Sequence, residues 1–310
     1  MSPKKATIAM AVHGGAGPDS DFIKQHKAEH EEGLKKALTA GYGVLEKGGT
    51  ALDAVEAAVC SLEDNEFFNA GRGSAINHKG EVEMDASIMD GKTKKAGAVS
   101  MVKNVKNPIT LAKFIMNNTH HVLLSGNGAL EFAKAEDIAL ETDAYFISSH
   151  QYDLFLEERD TQSIQELLKQ RVHGTVGAVA VDTKGNVAAA TSTGGTTNSL
   201  DGRIGDSCII GAGCFADNAT CAVSGTGDGE YLITGVVAHA ISEALRYTQC
   251  SLQEACDLVI QEYHKATKGN MGVISVNARG EIGISFNSQR MHRAWQSETH
   301  PLQVRIYDRE

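Results

Sequence analysis

The stretch RVHGTVGAVAVD, residues 171–182, decides how this chain is read. On its N-terminal side, Glu157, Glu158, Arg159, Asp160, Lys169, Gln170 and Arg171 crowd a region, from about Glu131 to His173, without a steady apolar period. That texture predicts a mobile surface linker. On its C-terminal side, TVGAVAVDTKGNVAAATSTGG (175–195) sets two runs of small apolar residues around Asp182-Thr183-Lys184-Gly185-Asn186. Two strands joined by a turn are expected there. Gly174-Thr175 is the seam between the two textures.

Working outward, residues 6–12 (ATIAMAV) predict a buried strand ending at the turn His13-Gly14-Gly15-Ala16-Gly17-Pro18. Residues 27–46 follow as a helix with Leu34, Ala37, Leu38 and Tyr42 on one side, closed by Gly48-Gly49. Thr50 then caps a second helix with Asp53 as its acidic partner, and Leu52, Val55, Val59 and Leu62 form its apolar stripe. EVEMDASIM (81–89) and AGAVSMV (96–102) read as strands, and residues 107–117 as a short helix. A further hairpin is expected in GVISVNARGEIGISF (272–286). Before it come a helix over 229–247 and another opened by the capping box Ser251-x-x-Glu254. Strands and helices in both halves predict sheets covered by helical layers.

Composition narrows the partners. The 39 acidic and 29 basic residues leave a formal charge of −10, which repels phosphate backbones and anionic membranes. No apolar run approaches the ~18 residues of a membrane span. The first residues, with Lys4-Lys5 and a short apolar run, read as an opening strand rather than a leader. Six cysteines without C-x-x-C spacing read as free thiols in a reducing cytoplasm.

The chemistry gathers at the seam. A threonine hydroxyl is a poor nucleophile until a base takes its proton. An α-amine on the same residue, with a pKa of about 7.7–8.0, would be that base once the Gly174–Thr175 bond is cut. The hydroxyl can make the cut itself by attacking the Gly174 carbonyl, and glycine leaves that carbonyl uncrowded. Three glycine-rich stretches follow: TSTGG (191–195), DGRIGDS (201–207) and SGTGDGE (224–230). Thr193 offers a hydroxyl at a strand end. Arg203 can hold a carboxylate through two parallel bonds, and Asp206 can pair with an ammonium. Together they meet the needs of an α-amino acid head group. GTGDG supplies a hydroxyl and unshielded N–H groups suited to an oxyanion. No Lys-Ser/Thr follows, so this is not a P-loop.

With VHGGAG, GGTALDAVEAAVCSLED, FNAGRGS, EMDASIMDG, HGTVGAVAVD, GNVAAATSTGG, GRIGDS, GAGCFAD and SGTGDGE in order, the sequence resembles the plant-type asparaginases and isoaspartyl peptidases. These are N-terminal-nucleophile hydrolases of the asparaginase-2 family. The resemblance implies an α+β fold, a four-layer αββα sandwich spanning residues 1–310 as one domain. It implies autocleavage at Gly174–Thr175 into an α chain (1–174) and a β chain (175–310), assembled as (αβ)2. The substrates would be L-asparagine and isoaspartyl dipeptides, with no cofactor in catalysis. Thr175 would be the nucleophile, Thr193 its hydrogen-bond partner, and Thr226 with Gly227 the oxyanion hole. Arg203, Ile204, Gly205, Asp206, Thr226, Gly227, Asp228 and Gly229 would bind substrate, and Asn69 would sit near the freed amine. Main-chain carbonyls of Leu62, Glu63, Asn65, Phe68, Ala70 and Arg72 would wrap a sodium ion.

Two features depart from the family pattern or vary within it. Arg72 is long and charged where a small or apolar residue is expected, although only its carbonyl would be needed. The segment SFNSQRMHRAWQ (285–296) is closer to bacterial isoaspartyl peptidases than to animal members, and Met291, Arg293 and Trp295 there would shape specificity or simply fill space. His13 and His173 suggest a triad, but an available amine assigns them structural or processing roles. A glycosylasparaginase-like enzyme usually carries Asp at position 174, which here is Gly. A binding protein on the same fold would be expected to have lost Thr175, Thr193 or the Arg203/Asp206 pair, and all are present.

Overall fold

The computed structural model describes residues 7–159, 174–263, 265 and 269–308. Its strands are β1 (Ala9–Gly17), β2 (Met84–Asp90), β3 (Ala96–Val102), β4 (Leu123–Ser125), β5 (Val176–Val181) and β6 (Val187–Thr193). They continue with β7 (Cys214–Ala216), β8 (Cys221–Gly227), β9 (Met271–Asn277), β10 (Ile282–Phe286), β11 (Arg290–Ser297) and β12 (Gln303–Arg305). One sheet runs β12-β11-β1-β5-β6-β2-β3-β4, the other β10-β9-β8-β7.

The small-residue runs are buried on both faces, which explains why they lack polar alternation. In β5, Val176, Ala178 and Ala180 face a core shared with Leu34, Leu38, Val55, Val59 and Leu62 of the helices Lys27–Glu46 and Ala51–Glu63. Val179 and Val181 face the opposite way, against Ala222, Ile274 and Val276 of the second sheet. Beyond that sheet, Val223, Met271 and Val273 pack on Leu232, Ile241, Leu252 and Ile260. Helix, sheet, sheet and helix therefore stack in four layers, the αββα arrangement expected. Small side chains between the sheets let them approach closely, and each fully buried Val or Leu contributes ~1.5–3 kcal/mol.

Three expectations change. The helix over 229–247 is two helices, Gly229–Gly235 and Val237–Tyr247, broken at Val236 in a left-handed conformation (φ 47°). The N–H groups of Ala238 and His239 bond the carbonyls of Ala212 and Gly211, so the second helix starts on a neighbouring turn. The strand expected over 81–89 begins only at Met84. The linker expected from about Glu131 onward is largely helical up to residue 159, in Gly126–Ala135, Asp143–Phe146 and Ser149–Arg159. Phe146 is 1% exposed and its carbonyl accepts the Gly73 N–H at 2.9 Å. Single buried aromatics held by distant partners leave no period in the sequence. The rest of that stretch, 160–173 with His173, lies outside the described residues.

Candidate active site

Thr175 sits at the mouth of β5, buried, with Gly174 still attached. Its hydroxyl donates to Thr193 Oγ1 at 3.3 Å, and Thr193 Oγ1 donates to the Gly174 carbonyl at 2.9 Å. Thr193 reaches this point because β6 runs antiparallel beside β5 and ends there, where Gly195 N–H fixes its hydroxyl at 3.1 Å. Asn69 Nδ2 donates to the same Gly174 carbonyl at 2.9 Å and to the Gly195 carbonyl at 2.7 Å. Its Oδ1 accepts the Ala75 N–H at 2.8 Å, so the orientation of the amide is set from both ends. The peptide oxygen between residues 174 and 175 thus carries two donors. Asn69, expected beside a freed amine, lies on the carbonyl of the intact bond.

His13 holds Thr175 from the main-chain side. Its Nδ1 lies 3.1 Å from the Thr175 carbonyl and its Nε2 2.9 Å from Ser224 Oγ. A carbonyl only accepts, so Nδ1 carries the proton and Nε2 accepts from Ser224. Thr191 Oγ1 joins this chain, 2.7 Å from Ser224 Oγ. Full burial lowers the His13 pKa to about 3, against a smaller raising effect of the Thr175 carbonyl. A neutral imidazole bonded to the carbonyl of Thr175 positions that residue and takes no proton from its hydroxyl. A Cβ at Gly177 would collide with both Ser224 Oγ and His13 Nε2, so the network requires glycine there.

Arg203, Asp206 and Gly229, expected to form the head-group clamp, lie close together. A Cβ built on Gly229 would stand 2.9 Å from Asp206 Oδ1 and 3.0 Å from Arg203 Nη2, so the missing side chain marks where the two converge. Asp206 is buried, and its Oδ2 has no hydrogen-bond partner among the described residues. Burial raises its pKa to about 7, with the Arg203 charge pulling the other way. A buried acceptor of this kind suits an ammonium. Arg203, however, is engaged: Nε and Nη2 donate to Glu230 Oε1 at 3.1 and 3.0 Å. Gly205 N–H is fastened to Asp85 Oδ2 at 3.1 Å, while Met101 N–H bonds its Oδ1. Ile204 is partly exposed, and Asp228 Oδ2 accepts the Asn270 N–H at 2.9 Å. Thr226 and Gly227 end β8; Thr226 Oγ1 accepts the Ala16 N–H at 3.3 Å, and no hydrogen bond joins it to Thr175 among the described residues.

The loop after the helix Ala51–Glu63 folds back on itself through carbonyls. Leu62 O accepts Asn65 N–H, Asn65 O accepts Phe68 N–H, Phe68 O accepts Ala70 N–H, and Glu63 O accepts Arg72 N–H at 2.6 Å. A Cβ at Gly73 would lie 2.6 Å from the Glu66 and Phe68 oxygens, so these crowd one turn. Each keeps a second lone pair, and such a donor set fits a hard monovalent cation.

Glu230, Ser224, Thr191, Asp85 and the carboxyl of Glu63 were not singled out from the sequence. Glu63 Oε1 accepts the Ser192 hydroxyl at 2.6 Å, one residue from Thr193. The signals are weak: each of these side chains meets a partner more than twenty residues away, and at Glu63 the sequence points only to the main-chain carbonyl.

The family described as Asparaginase (Asparaginase_2) matches residues 6–306. The chain is 42% identical over 299 residues to the isoaspartyl peptidase of Escherichia coli (strain K12), covering 94% of this chain and 92% of that protein. It is 41% identical over 302 residues to the isoaspartyl peptidase/L-asparaginase of Xenopus laevis, covering 97% and 96%. Against the human isoaspartyl peptidase/L-asparaginase it is 44% identical over 283 residues, 91% of each.

Proposed function

Since the chain belongs to the Asparaginase_2 family, we propose that it hydrolyses the side-chain amide of L-asparagine and the β-aspartyl bond of isoaspartyl dipeptides, after cutting itself between Gly174 and Thr175. The observation that carries this reading is the pair of donors, Asn69 and Thr193, on the carbonyl that directly precedes a buried threonine hydroxyl. Thr175 Oγ attacks the Gly174 carbon, and its proton passes to Thr193 as the Thr193 proton moves onto the developing oxyanion. Collapse breaks the C–N bond, the Thr175 nitrogen takes up the proton, and water hydrolyses the resulting ester. The products are a carboxylate on Gly174 and a free amine on Thr175.

The freed amine then serves as base for the same hydroxyl. Arg203 takes the substrate α-carboxylate in place of Glu230, and Asp206 takes the α-ammonium. The hydroxyl attacks the β-carbonyl, with Thr226 and Gly227 as oxyanion donors. Ammonia or an amino acid leaves, and water releases aspartate. Asparagine and isoaspartyl dipeptides share this head group, which is why one clamp serves both. Carbonyls of Leu62, Glu63, Asn65, Phe68, Ala70 and Arg72 would hold a structural sodium ion. Two processed copies would form (αβ)2, in a reducing cytoplasm that suits six unpaired thiols.

Intact mass analysis combined with aspartate release from both substrates tests the reading. The expected result is two fragments, 1–174 and 175–310, the second beginning Thr-Val-Gly-Ala. A chain that stays whole on long incubation and releases no aspartate would refute it.

A further inference from the structure

Beside Gly174 and Asn69 lies a cavity of about 160 Å³ whose lining includes His30, His150, Arg290 and His292. His30 is 3% exposed, and neither ring nitrogen has a hydrogen-bond partner among the described residues. His292 is 2% exposed. Its Nδ1 lies 2.9 Å from Arg290 Nη1, which can only donate, so the ring proton sits on Nε2. Among the described residues the Gly15 backbone is the one group that acts on this ring as a hydrogen-bond acceptor, and Nε2 makes no hydrogen bond of good geometry. The His30 and His292 ring centroids are 4.6 Å apart.

Arg290 supplies the charge. It is 7% exposed, and its Nε donates to the Pro18 carbonyl at 2.9 Å. Among the described residues no carboxylate lies within ion-pair distance of it. Asp19, which also lines the cavity and acts electrostatically on Arg290, is occupied: its Oδ1 accepts from Ser20 N–H at 2.9 Å and Tyr307 OH at 3.1 Å, and Lys24 lies 3.7 Å from its Oδ2. Asp153 and Glu157 act on His150, and His26 on His30 and His150. Water could satisfy the imidazoles but would leave the buried guanidinium without an anion in direct contact. An anion with two acceptor oxygens would meet both needs.

We propose that this cavity is a carboxylate subsite of the same active centre, holding the α-carboxylate of the amino acid that leaves a β-aspartyl dipeptide, with Arg290, His292 and His30 as its donors. The inference rests on the hydrolase reading above. The cavity adjoins the residue directly preceding the nucleophile, and its volume suits one small amino acid. Asparagine has no group to place there, so the subsite would favour dipeptides through binding.

The test compares β-aspartyl-alanine, β-aspartyl-alaninamide and asparagine on the processed wild-type chain. The free acid should exceed the amide by about 10-fold or more in kcat/KM, carried by KM, as a lost charge-assisted contact implies. Arg290→Gln should bring the two close to parity, and His30→Asn should narrow the gap. Equal rates for acid and amide in the wild type overturn the subsite while asparagine hydrolysis still proceeds. Failure on all three substrates overturns the hydrolase reading instead. The wild-type comparison stands even where Arg290→Gln does not fold. A preference that survives in folded Arg290→Gln places the carboxylate elsewhere and overturns the assignment. The freed Gly174 carboxylate is the other source of the same chemistry; where it fills the cavity, acid and amide react alike, which also counts against the proposal.

Discussion

At the scale of single residues, the proposed self-cleavage turns on the Gly174 carbonyl. Its carbonyl oxygen takes the Asn69 amide and the Thr193 hydroxyl, both oriented by further bonds, so little reorganisation is needed as charge develops. Asn69→Ala should slow cleavage about 10²–10³-fold, the usual cost of one oxyanion donor. Timed samples on a denaturing gel measure this, and an unchanged rate removes Asn69 from the cradle. Thr175→Ala should leave the chain whole and without activity; fragments in that variant would move the nucleophile elsewhere. The hydroxyls were legible in the sequence because TSTGG and HGT are local patterns. The target of Asn69 was not, since its partner lies 105 residues away. The same is true of Glu230, which holds Arg203.

At the scale of elements, Glu63 links three of them. It ends the helix Ala51–Glu63, and its Oε1 accepts Ile109 N–H at 3.1 Å, in the first turn of Pro108–Asn118, and the Ser192 hydroxyl on β6. Burial pushes its pKa up to about 8, the two hydrogen bonds to Oε1 opposing the rise. Because the folded value lies above the unfolded one, the native state binds the extra proton between them. Its contribution is full below about 4.5 and is lost as pH rises through about 8. Glu63→Gln keeps the acceptor and cannot ionise, so thermal unfolding from pH 6 to 9 should slope less than in the wild type. An identical slope would exclude Glu63 as its source. Local signals at this scale read well. Thr50 caps its helix through Asp53 N–H, and Ser251 with Glu254 forms a complete capping box. The break at Val236 did not, because distant carbonyls of Gly211 and Ala212 set it.

At the scale of the molecule, the two segments on either side of the seam are interleaved. In the order β12-β11-β1-β5-β6-β2-β3-β4, strand β1 lies between β11 and β5, and β2 pairs with β6. Cutting before Thr175 would sever one bond while these ladders and the shared cores persist. Native mass spectrometry of processed protein should therefore find 1–174 and 175–310 together, and denaturing conditions should part them. Separation under native conditions would contradict this account. The sequence by itself determined that helices cover sheets, the capped helix starts at Thr50 and Ser251, and the threonine-bearing strands, because periodicity, caps and turn residues act over a few positions. Only the tertiary structure decided which oxygen Asn69 reaches, that Glu230 occupies Arg203, and that His30 and Arg290 line one cavity. Those are meetings between residues far apart in the chain, fixed by sheet order and burial, and no local pattern encodes them.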